Sequence, residues 1–259
     1  MNVRMDASVG DGYSNLSQKA RRVTEGWAGT NLFCMVCDCN RVITSANNTQ
    51  AIDFVCPQCG APYQLKASKR WNEKRIPDAG YAAMIAALQS DRIPNLLVMQ
   101  YSPNWFVENL MLVPSFFFSL AAVEKRKPLG PHARRAGWVG CNILLQAISE
   151  EGKIRLVANG HIHEPQMIRT QYKLIQPLSK INVSVRGWTL DVLRVLQELQ
   201  SPTFTLDVVY GFEHKLSMLH PDNRHIRDKI RQQLQVLRDL QFVDFLGAGR
   251  YQLRKVHKR

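Results

Sequence analysis

Four cysteines near the start of the chain constrain its fold more than any other feature. They form two C-x2-C pairs separated by eighteen residues, at Cys34, Cys37, Cys56 and Cys59. This spacing is typical of a zinc ribbon, in which four thiolates hold one zinc ion in a closed tetrahedral site. We therefore predict a structural Zn²⁺ site in residues 34–59, whose loss would unfold the ribbon. Cys39 lies two positions after Cys37 and could replace it as a ligand.

The charge of the chain indicates a polyanionic partner. Its 34 Lys and Arg residues against 21 Asp and Glu residues give a net charge of +13. A balance of this size is typical of nucleic-acid binding and, less often, of binding to an anionic membrane. The longest uncharged run, residues 109–123, contains Pro114 and is shorter than the roughly 20 apolar residues of a spanning helix. We therefore expect double-stranded DNA, and no membrane, as the partner.

The compartment and the assembly state are predicted from what the sequence lacks. Residues 1–10 show no apolar segment of the kind found in a secretory signal peptide. We expect a cytoplasmic protein, in which cysteines are thiols or metal ligands rather than disulfides. Because no apolar stripe suited to self-association is visible, we expect a monomer.

Apolar patterns in residues 1–180 predict an α/β sandwich. A loose tail is expected in residues 1–15, followed by an amphipathic helix over residues 17–27 with Ser17 as its N-cap. A helix buried on nearly all sides is predicted for residues 80–88. Strands are predicted for residues 96–101, 110–113 and 153–158, and a loop at residues 46–49 is predicted to separate the two cysteine pairs.

Residues 125–142 have a different character and predict a surface loop. The segment carries five Lys and Arg residues and no acid, together with prolines and glycines that exclude a long helix. Arginine and lysine suit phosphate or guanine, and a tryptophan offers a ring for stacking or wedging between bases. The predicted DNA-contacting residues of this loop are Arg126, Lys127, Arg134, Arg135 and Trp138. The alternative is a solvated basic loop whose tryptophan anchors it to the core.

The last third of the chain predicts a winged-helix domain. Trp188, Val192 and Leu196 lie on one face of a first helix, and Thr205 can cap a second helix that extends to about residue 219. A third helix is predicted for residues 224–240, followed by a hairpin around Gly247-Ala-Gly249. We therefore predict two domains, residues 1–180 and residues 181–259.

The third helix of this domain is the predicted base-reading element. Glutamine side chains suit adenine edges and arginine suits guanine edges in the major groove. The predicted DNA-binding residues here are Arg224, Lys229, Arg231, Gln232, Gln233 and Arg250. The alternative is a winged helix that docks a protein.

Asp53, Gln64 and Lys66 form a candidate hydrolytic site. Residues 63–67 alternate as a strand does, which places Gln64 and Lys66 on one face. Asp53 lies in another predicted strand. An acid, a second oxygen ligand and a lysine on neighbouring strands are the minimal set for Mg²⁺-assisted phosphodiester hydrolysis. The spacing alone is weak evidence, because similar combinations occur in most chains.

Long ordered strings of residues resemble a known family. They are Ser17-Gln-Lys-Ala-Arg21, Arg126-Lys-Pro-Leu129, Ala133-Arg-Arg-Ala-Gly-Trp138, Arg186-Gly-Trp-Thr189 and Lys229-Ile-Arg-Gln-Gln-Leu-Gln-Val-Leu-Arg-Asp239. They resemble the DpnI-type methyl-directed restriction endonucleases, the Dam-replacing protein family, over roughly residues 17–253. The resemblance implies an α/β PD-(D/E)xK nuclease core with a four-cysteine zinc-ribbon insertion and a C-terminal winged helix. It also implies magnesium-dependent cleavage of double-stranded DNA at GATC containing N6-methyladenine.

The resemblance assigns roles to four residues. Asp53 matches the family's metal-binding aspartate and Lys66 its catalytic lysine. Glu25 lies on the matching first helix and could help hold the metal. Trp138 falls in the segment that resembles a base-contacting loop. Gln64 departs from the resembled enzyme, which has glutamate there, although other branches of the nuclease superfamily resemble this chain in having glutamine. One negative charge is therefore missing from the expected magnesium site.

Three functions follow from this sequence. The first is a methyl-dependent type II restriction endonuclease acting at methylated GATC. The second is a methyl-DNA-binding regulator that has lost catalytic strength, motivated by Gln64. The third is a repair or junction nuclease, which leaves the winged helix and the Trp138 loop unexplained.

Overall fold

The computed structural model describes residues 1–45, 51–70, 72, 74–199 and 201–254. Its contacts divide the chain into two compact units. The first unit comprises Met1–Asn72, Ile93–Ser115 and Gly152–Ile175, and the second comprises Glu73–Arg92, Phe116–Glu151 and Gln176–Arg259. The domain division predicted at residue 180 stays a prediction, and the predicted loop at residues 46–49 lies outside the described residues.

Both compact units contain helices and strands. The α-helices are α1 (Leu16–Asn31), α2 (Tyr81–Gln89), α3 (Pro165–Ile175), α4 (Val183–Gln197), α5 (Leu206–Tyr210), α6 (Glu213–Leu219) and α7 (Ile226–Asp239). The strands are β1 (Ile43–Thr44), β2 (Phe54–Val55), β3 (Pro62–Ser68), β4 (Ile76–Gly80), β5 (Asn95–Tyr101), β6 (Val107–Val113), β7 (Val123–Lys125), β8 (Gly140–Ile143), β9 (Ile154–Ala158), β10 (His161–Ile162), β11 (Thr203–Thr205), β12 (Val243–Gly247) and β13 (Arg250–Leu253). Within the described ranges, none of these helices combines the length and apolar character of a membrane span.

A mixed sheet forms the core of the first unit. Its described strands follow the order β1-β2-β3-β5-β6-β9-β10. Only β3 and β5 run parallel, with Gln64 opposite Leu96 and Lys66 opposite Val98. Six of the seven residues of β5 are buried, as its apolar sequence predicts for a strand covered on both faces. The predicted α/β class and the strands predicted for residues 96–101, 110–113 and 153–158 are confirmed, whereas Asp53, predicted to lie within a strand, lies just before β2.

Helix α1 lies against this sheet, and its N-cap lies two residues before the predicted one. The side chain of Asn15, not Ser17, accepts hydrogen bonds from the N–H groups of Ser17 (2.9 Å) and Gln18 (3.2 Å). The helix buries an apolar stripe that includes Val23 and Trp27. The prediction of Ser17 as N-cap was therefore wrong.

The first fifteen residues are packed rather than loose. Met5 is buried, and its N–H donates to the carbonyl of Trp105 at 2.8 Å. The indole Nε1 of Trp27 donates to the carbonyl of Asn2 at 2.7 Å. These contacts tie the N-terminus to α1 and to the β5–β6 turn, so the predicted tail was wrong. The polar residues and glycines of residues 1–15 predicted a loose tail because composition does not show the tertiary contacts that these residues make.

The second unit contains a three-stranded sheet in the order β4-β8-β7, followed by the C-terminal elements. Helix α2 buries only Met84 and Leu88, and alanines form much of its exposed surface. The prediction that this helix is buried on nearly all sides was therefore wrong. Buried Arg186 of α4 donates both Nη groups to Asp91, just after α2. This ion pair ties α4 to α2.

The C-terminal elements follow the predicted order of helices and then a hairpin. Strands β11, β13 and β12 form a small antiparallel sheet, of which β11 was not predicted. Thr205 caps α5 by accepting from the N–H of Val208. The predicted second helix is in fact two, because α5 ends at Tyr210 and α6 begins at Glu213. The hairpin turn is as predicted, with the positive φ of 88° and 69° that glycine tolerates at Gly247 and Gly249.

Candidate functional site

The four predicted zinc ligands lie together in the first unit. Two come from the loop after α1 and two from the loop between β2 and β3, and all four sulfur atoms lie within 4.8 Å of one another. The Sγ atoms of Cys34 and Cys59 are 3.6 Å apart, as are those of Cys37 and Cys56. In a tetrahedral site with Zn–S bonds of about 2.3 Å, the sulfurs are about 3.8 Å apart. The cluster is therefore the right size for zinc and much too open for disulfides, whose bonds are about 2.05 Å long.

Cys39 does not belong to this cluster. Its Sγ donates to the carbonyl of Arg41 at 3.3 Å, and its own carbonyl accepts from the N–H of Cys34 at 2.9 Å. This backbone hydrogen bond between Cys34 and Cys39 closes the first cysteine loop. The alternative in which Cys39 replaces Cys37 is not what the structure shows.

Backbone N–H groups prepare one of the thiols for a metal. Burial opposes ionisation of Cys56, but the N–H groups of Cys59 and Gln58 donate to its sulfur and lower the pKa of this thiol to about 6. A thiolate is the form that binds metal. The second cysteine loop therefore carries a ligand that is ionised at neutral pH.

Two buried polar residues outside the cysteine loops hold the cluster in place. The hydroxyl of Tyr63, on β3, lies 3.2 Å from the Cys34 sulfur and accepts from the N–H of Met35 at 3.2 Å. Arg169, on α3, donates from Nε to the carbonyl of Cys34 (3.1 Å) and from Nη2 to the carbonyl of Cys39 (3.0 Å). Sequence reasoning missed both residues. A buried tyrosine in a predicted strand gave a weak signal, and an arginine 130 residues downstream gave none.

Asp53 is fixed beside Gln64 by two hydrogen bonds. Its backbone N–H donates to the carbonyl of Tyr63 at 2.9 Å, and its Oδ2 accepts from the N–H of Leu65 at 2.8 Å. These two groups belong to the residues on either side of Gln64. The carboxylate is therefore held next to Gln64, at the edge of β3. Asp53 itself is the residue just before β2.

Gln64 and Lys66 lie in the middle of the sheet, on strand β3. Side chains two residues apart in a strand point to the same face, so these two share a face. Gln64 is 9% exposed and Lys66 is half-buried. Strand β5 pairs with β3 from Tyr63 to Ser68, along both of these residues, whereas β2 pairs only with Pro62 and Tyr63.

Helix α1 adds two charged residues to this region. A Cβ built on Gly29 would lie 3.8 Å from the Phe54 ring, so the helix packs against β2. One turn earlier on the same helix is Glu25, and Nε of Arg21 donates to its Oε1 at 2.6 Å. This hydrogen bond and the charge of Glu25 raise the pKa of Arg21, and the charge of Asp53 adds to the rise. Glu25 therefore pairs with Arg21 on the helix that packs against β2.

The donor atoms of this region suit a hard divalent cation. A carboxylate oxygen and an amide carbonyl oxygen are the ligand types that Mg²⁺ binds. One oxygen of Asp53 is oriented by Leu65, and a carboxylate offers about four acceptor positions, so coordination and this hydrogen bond are compatible. A lysine two residues from the amide completes the predicted set.

In the second unit, the four basic residues predicted to contact DNA in the loop between β7 and β8 are exposed: Arg126, Lys127, Arg134 and Arg135. Trp138 is half-buried. A Cβ on Gly140 would lie 2.8 Å from its ring and a Cβ on Gly80 would lie 3.5 Å from it, while the Arg135 guanidinium carbon lies 4.7 Å from the ring centroid. The ring thus packs on glycine backbone, as the anchoring alternative predicts. Base stacking by Trp138 stays a prediction.

Most of the predicted base-reading residues of the C-terminal elements face solvent. Arg224, Arg231, Gln232 and Arg250 are exposed, and Lys229 is half-buried. Nε of Arg231 donates to the hydroxyl of Tyr210, on α5, which orients this arginine on the surface of α7.

Gln233 is a correction. It is fully buried, and its Oε1 accepts from Oγ1 of Thr189 at 2.7 Å. The predicted outward position was wrong because Gln233 lies three residues after Ile230 and four before Leu237, on the apolar face of α7. It pairs α7 with α4 and does not face DNA.

A cavity of about 1070 Å³ lies in the second unit. Its lining includes Trp188 and His220, whose rings stack with centroids 3.6 Å apart, and Arg224. The buried carboxylate of Asp191 accepts from Ser119 at 3.2 Å and lies 2.9 Å from Nε2 of His220. Among the described residues that line it there is no predicted catalytic residue. These contacts fix the segment that leads into α7.

Two family models match the chain. The model described as DpnI, Dam-replacing family, matches residues 1–181. The model described as the Dam-replacing HTH domain matches residues 184–253. Together they span nearly the whole sequence, and the second match covers helices α4 to α7 and the hairpin that follows them.

Proposed function

The chain belongs to the Dam-replacing family, and we propose that it is a methyl-dependent type II restriction endonuclease. Its target is double-stranded DNA at GATC that contains N6-methyladenine. The observation that carries this proposal is the pair of hydrogen bonds that hold Asp53 beside Gln64, two residues from Lys66 on the same strand. An acid, a second oxygen ligand and a lysine on neighbouring strands form the set that metal-assisted phosphodiester hydrolysis needs.

The first unit is proposed to be a PD-(D/E)xK core. Its supporting features are helix α1 packed against the sheet, Asp53 at the start of β2, and the Gln64-x-Lys66 segment on β3. Gln64 stands where the second acid of such a core is expected. Glu25, on α1, provides a carboxylate near Arg21 and belongs to the same set.

Asp53 and Gln64 would hold Mg²⁺ through their oxygen atoms. A cation at this position would supply Lewis-acid polarisation of the phosphate. Lys66 either donates from its ammonium group, which orients the attacking water and stabilises the negative charge that grows on the phosphate, or, as a neutral amine, helps to take the proton of that water. The water oxygen bonds to phosphorus, the P–O3′ bond breaks and O3′ takes up a proton. The products are a 5′-phosphate and a 3′-hydroxyl.

Gln64 is expected to weaken metal binding. Its carbonyl can ligate a hard cation but carries no charge. A unit charge about 4 Å from another contributes on the order of 4 kcal/mol at an effective dielectric of about 20. The enzyme should therefore need more magnesium than a glutamate-containing relative unless Glu25 makes up part of the missing charge.

The zinc cluster is proposed to be structural. Four thiolates leave no open coordination position, so the ion has no place for substrate or water. Its role would be to fix the loop after α1 and the loop between β2 and β3, and with the second loop Asp53, three residues before Cys56. Cleavage chemistry is assigned to the oxygen and nitrogen donors alone.

Methyl recognition is proposed to involve both DNA-contacting regions. Burying one methyl group contributes only about 0.8 kcal/mol, so a single contact discriminates weakly. The basic loop between β7 and β8 and the exposed face of α7 would each contact a methyl group. The two ratios of affinity for methylated over unmethylated DNA would then multiply. Arg224, Arg231 and Gln232 are the proposed contacts of the C-terminal domain.

A second candidate function is favoured by one observation, the neutral Gln64. If the site cannot hold magnesium, the protein would be a methyl-DNA-binding regulator with a degenerate nuclease core. A repair or junction nuclease is disfavoured because neither activity needs the matched HTH domain.

Cleavage assays separate these candidates. The protein is incubated with magnesium and duplexes that carry GATC fully methylated, hemimethylated or unmethylated. Cleavage restricted to methylated DNA is the expected result, whereas binding without cleavage indicates a regulator and cleavage blind to methylation and sequence indicates a repair nuclease. Binding should weaken steeply with salt, since phosphate contacts release counterions.

A matched pair of lysine variants tests the site itself. Lys66→Ala should abolish cleavage and leave the Kd for methylated DNA unchanged. Lys69→Ala, an exposed lysine just beyond β3, is the control and should cleave normally. Persistent cleavage by Lys66→Ala contradicts the assignment of Lys66.

A further inference from the structure

Arg21 is a charged residue of the Asp53 region to which the proposed mechanism gives no role. Its side chain is 70% exposed, and its Nε donates to Oε1 of Glu25 at 2.6 Å. In the described part of the chain the guanidinium makes no other hydrogen bond or ion pair. The charges of both Glu25 and Asp53 act on it and raise its pKa. It is thus an exposed cation held beside Glu25, on the helix that packs against β2 next to Asp53.

The guanidinium has donors to spare. Arginine carries five N–H donors in a planar fork that suits phosphate oxygens, and Glu25 engages Nε. The contact with Glu25 also restricts the side chain, so less conformational freedom is lost when the remaining donors bind an anion. The helix that carries Arg21 packs on β2 through Gly29, against the ring of Phe54, the residue after Asp53.

The charge balance of the site favours a phosphate ligand for this arginine. The carboxylates of Asp53 and Glu25 are matched by the cations of Lys66 and Arg21, because residue 64 is neutral. With a glutamate at that position the same group of side chains would be net negative. The positive charge of Arg21 therefore disfavours binding of a cation. It would stabilise the phosphate instead, because the non-bridging oxygens gain negative charge in the transition state.

We propose, on the basis of the nuclease function above, that Arg21 is a catalytic residue that donates from its Nη groups to a non-bridging oxygen of the scissile phosphate. The competing explanation is a surface ion pair of the i,i+4 kind, which contributes little to stability and nothing to catalysis. The two explanations differ in what Arg21 touches. The phosphate contact requires Arg21 even when Glu25 is absent, whereas the surface pair has no function without Glu25.

The first test compares Arg21→Ala, Arg21→Lys and the neighbouring control Arg22→Ala, whose guanidinium carbon lies 5.9 Å from the Tyr13 ring centroid. Cleavage of a methylated GATC duplex with magnesium is measured as kcat and KM. We expect kcat of Arg21→Ala to fall roughly 10²–10³-fold, the loss typical of removing one transition-state donor, with KM changed less than about 3-fold. Arg21→Lys should recover about 10-fold of this loss because it restores the charge without the fork, and Arg22→Ala should resemble the wild type. A kcat for Arg21→Ala within about 3-fold of the wild type overturns the proposal.

The second test is a double-mutant cycle with Glu25→Ala. A phosphate contact predicts that Arg21→Ala slows the Glu25→Ala enzyme further, whereas identical rates for the double variant and Glu25→Ala alone would overturn the proposal. If Lys66→Ala is inactive and Arg21→Ala is fully active, only the role of Arg21 fails. If the wild type cleaves none of the methylated duplexes, the nuclease function and the role of Arg21 fail together.

Discussion

The cysteine cluster and the Asp53–Lys66 region share strands β2 and β3 but are assembled in different ways. In the cluster, the ligands come from two short loops, and each pair of sulfurs belongs to residues three positions apart. In the Asp53 region, the side chains come from the residue before β2, from β3 and from helix α1. The cluster is therefore formed by residues closely spaced in two short loops, whereas the Asp53 region depends on the packing of elements that are distant in sequence.

This difference separates structural from chemical roles. Four sulfurs around one ion leave no open position, so the cluster can support the fold but cannot bind substrate. In the proposed site, the oxygen donors of Asp53 and Gln64 are too few to fill the coordination sphere of a hard cation, which would leave positions for water and phosphate. Damage to the cluster should therefore appear as loss of folding, and damage to the Asp53 region as loss of activity in a folded protein.

The largest expected effect comes from removing one zinc ligand. Zinc binding in small cysteine sites contributes about 10–16 kcal/mol, which equals or exceeds the 5–15 kcal/mol stability of a typical domain. Cys56→Ser should therefore lose zinc and fail to fold, as measured by metal content and circular dichroism. Cys39→Ser is the matched control, because Cys39 lies outside the cluster, and it should keep both zinc and fold. A folded, zinc-free Cys56→Ser protein would remove the contrast between the two regions.

The sequence predicted the ligands of the cluster because their spacing is local, but it could not reveal what supports them. Arg169 reaches the carbonyls of Cys34 and Cys39 only because α3 folds back onto the cysteine loops. No pattern in one sequence encodes that contact. The Asp53 site was predictable from alternation in β3 and from the family resemblance, whereas the link through Arg21 depends on the placement of α1.

Two other differences have simple physical causes. Gln233 could have been placed correctly from periodicity alone, since it falls on the same helical face as Ile230 and Leu237. The packing of the N-terminus could not be predicted from periodicity, because it depends on contacts with residues more than twenty positions away, such as Trp27 and Trp105.

Arg169→Ala tests whether the cluster depends on its long-range support. The change leaves buried carbonyl groups of Cys34 and Cys39 without their charged donor, at a cost of about 3 kcal/mol. We expect a lower midpoint in urea unfolding, with zinc still bound at saturating metal. Arg155→Ala, an exposed position on β9, should change stability by less than about 0.5 kcal/mol. Equal stabilities for the two variants would mean that local spacing alone holds the cluster.

Gln64→Glu tests the charge of the open site. The added carboxylate should lower the magnesium concentration for half-maximal cleavage by about 10–100-fold, since each factor of ten corresponds to about 1.4 kcal/mol. The measurement is a magnesium titration of the cleavage rate. Gln166→Glu, exposed on α3, adds the same charge elsewhere and should leave the titration unchanged. An unchanged titration for Gln64→Glu would show that residue 64 does not face the metal.

The smallest effects are expected at two adjacent glutamines, where the contrast between structural and chemical roles recurs. Gln232→Ala should keep full stability and lose about 1 kcal/mol of discrimination between specific and mismatched duplexes. Gln233→Ala should lose about 1 kcal/mol of stability, because it removes the buried partner of Thr189. Urea unfolding and competition binding distinguish the two. Reversed results would place the base-reading face of α7 on the side that packs against α4.

The most direct measurement is a crystal structure of the protein with a methylated GATC duplex and Mn²⁺, located by its anomalous scattering. We expect manganese bound directly by the Asp53 carboxylate and the Gln64 carbonyl, with Lys66 on the same face of the sheet next to the scissile phosphate. Manganese bound elsewhere, or Lys66 turned to the opposite face, would contradict the assignment of this region as the hydrolytic centre.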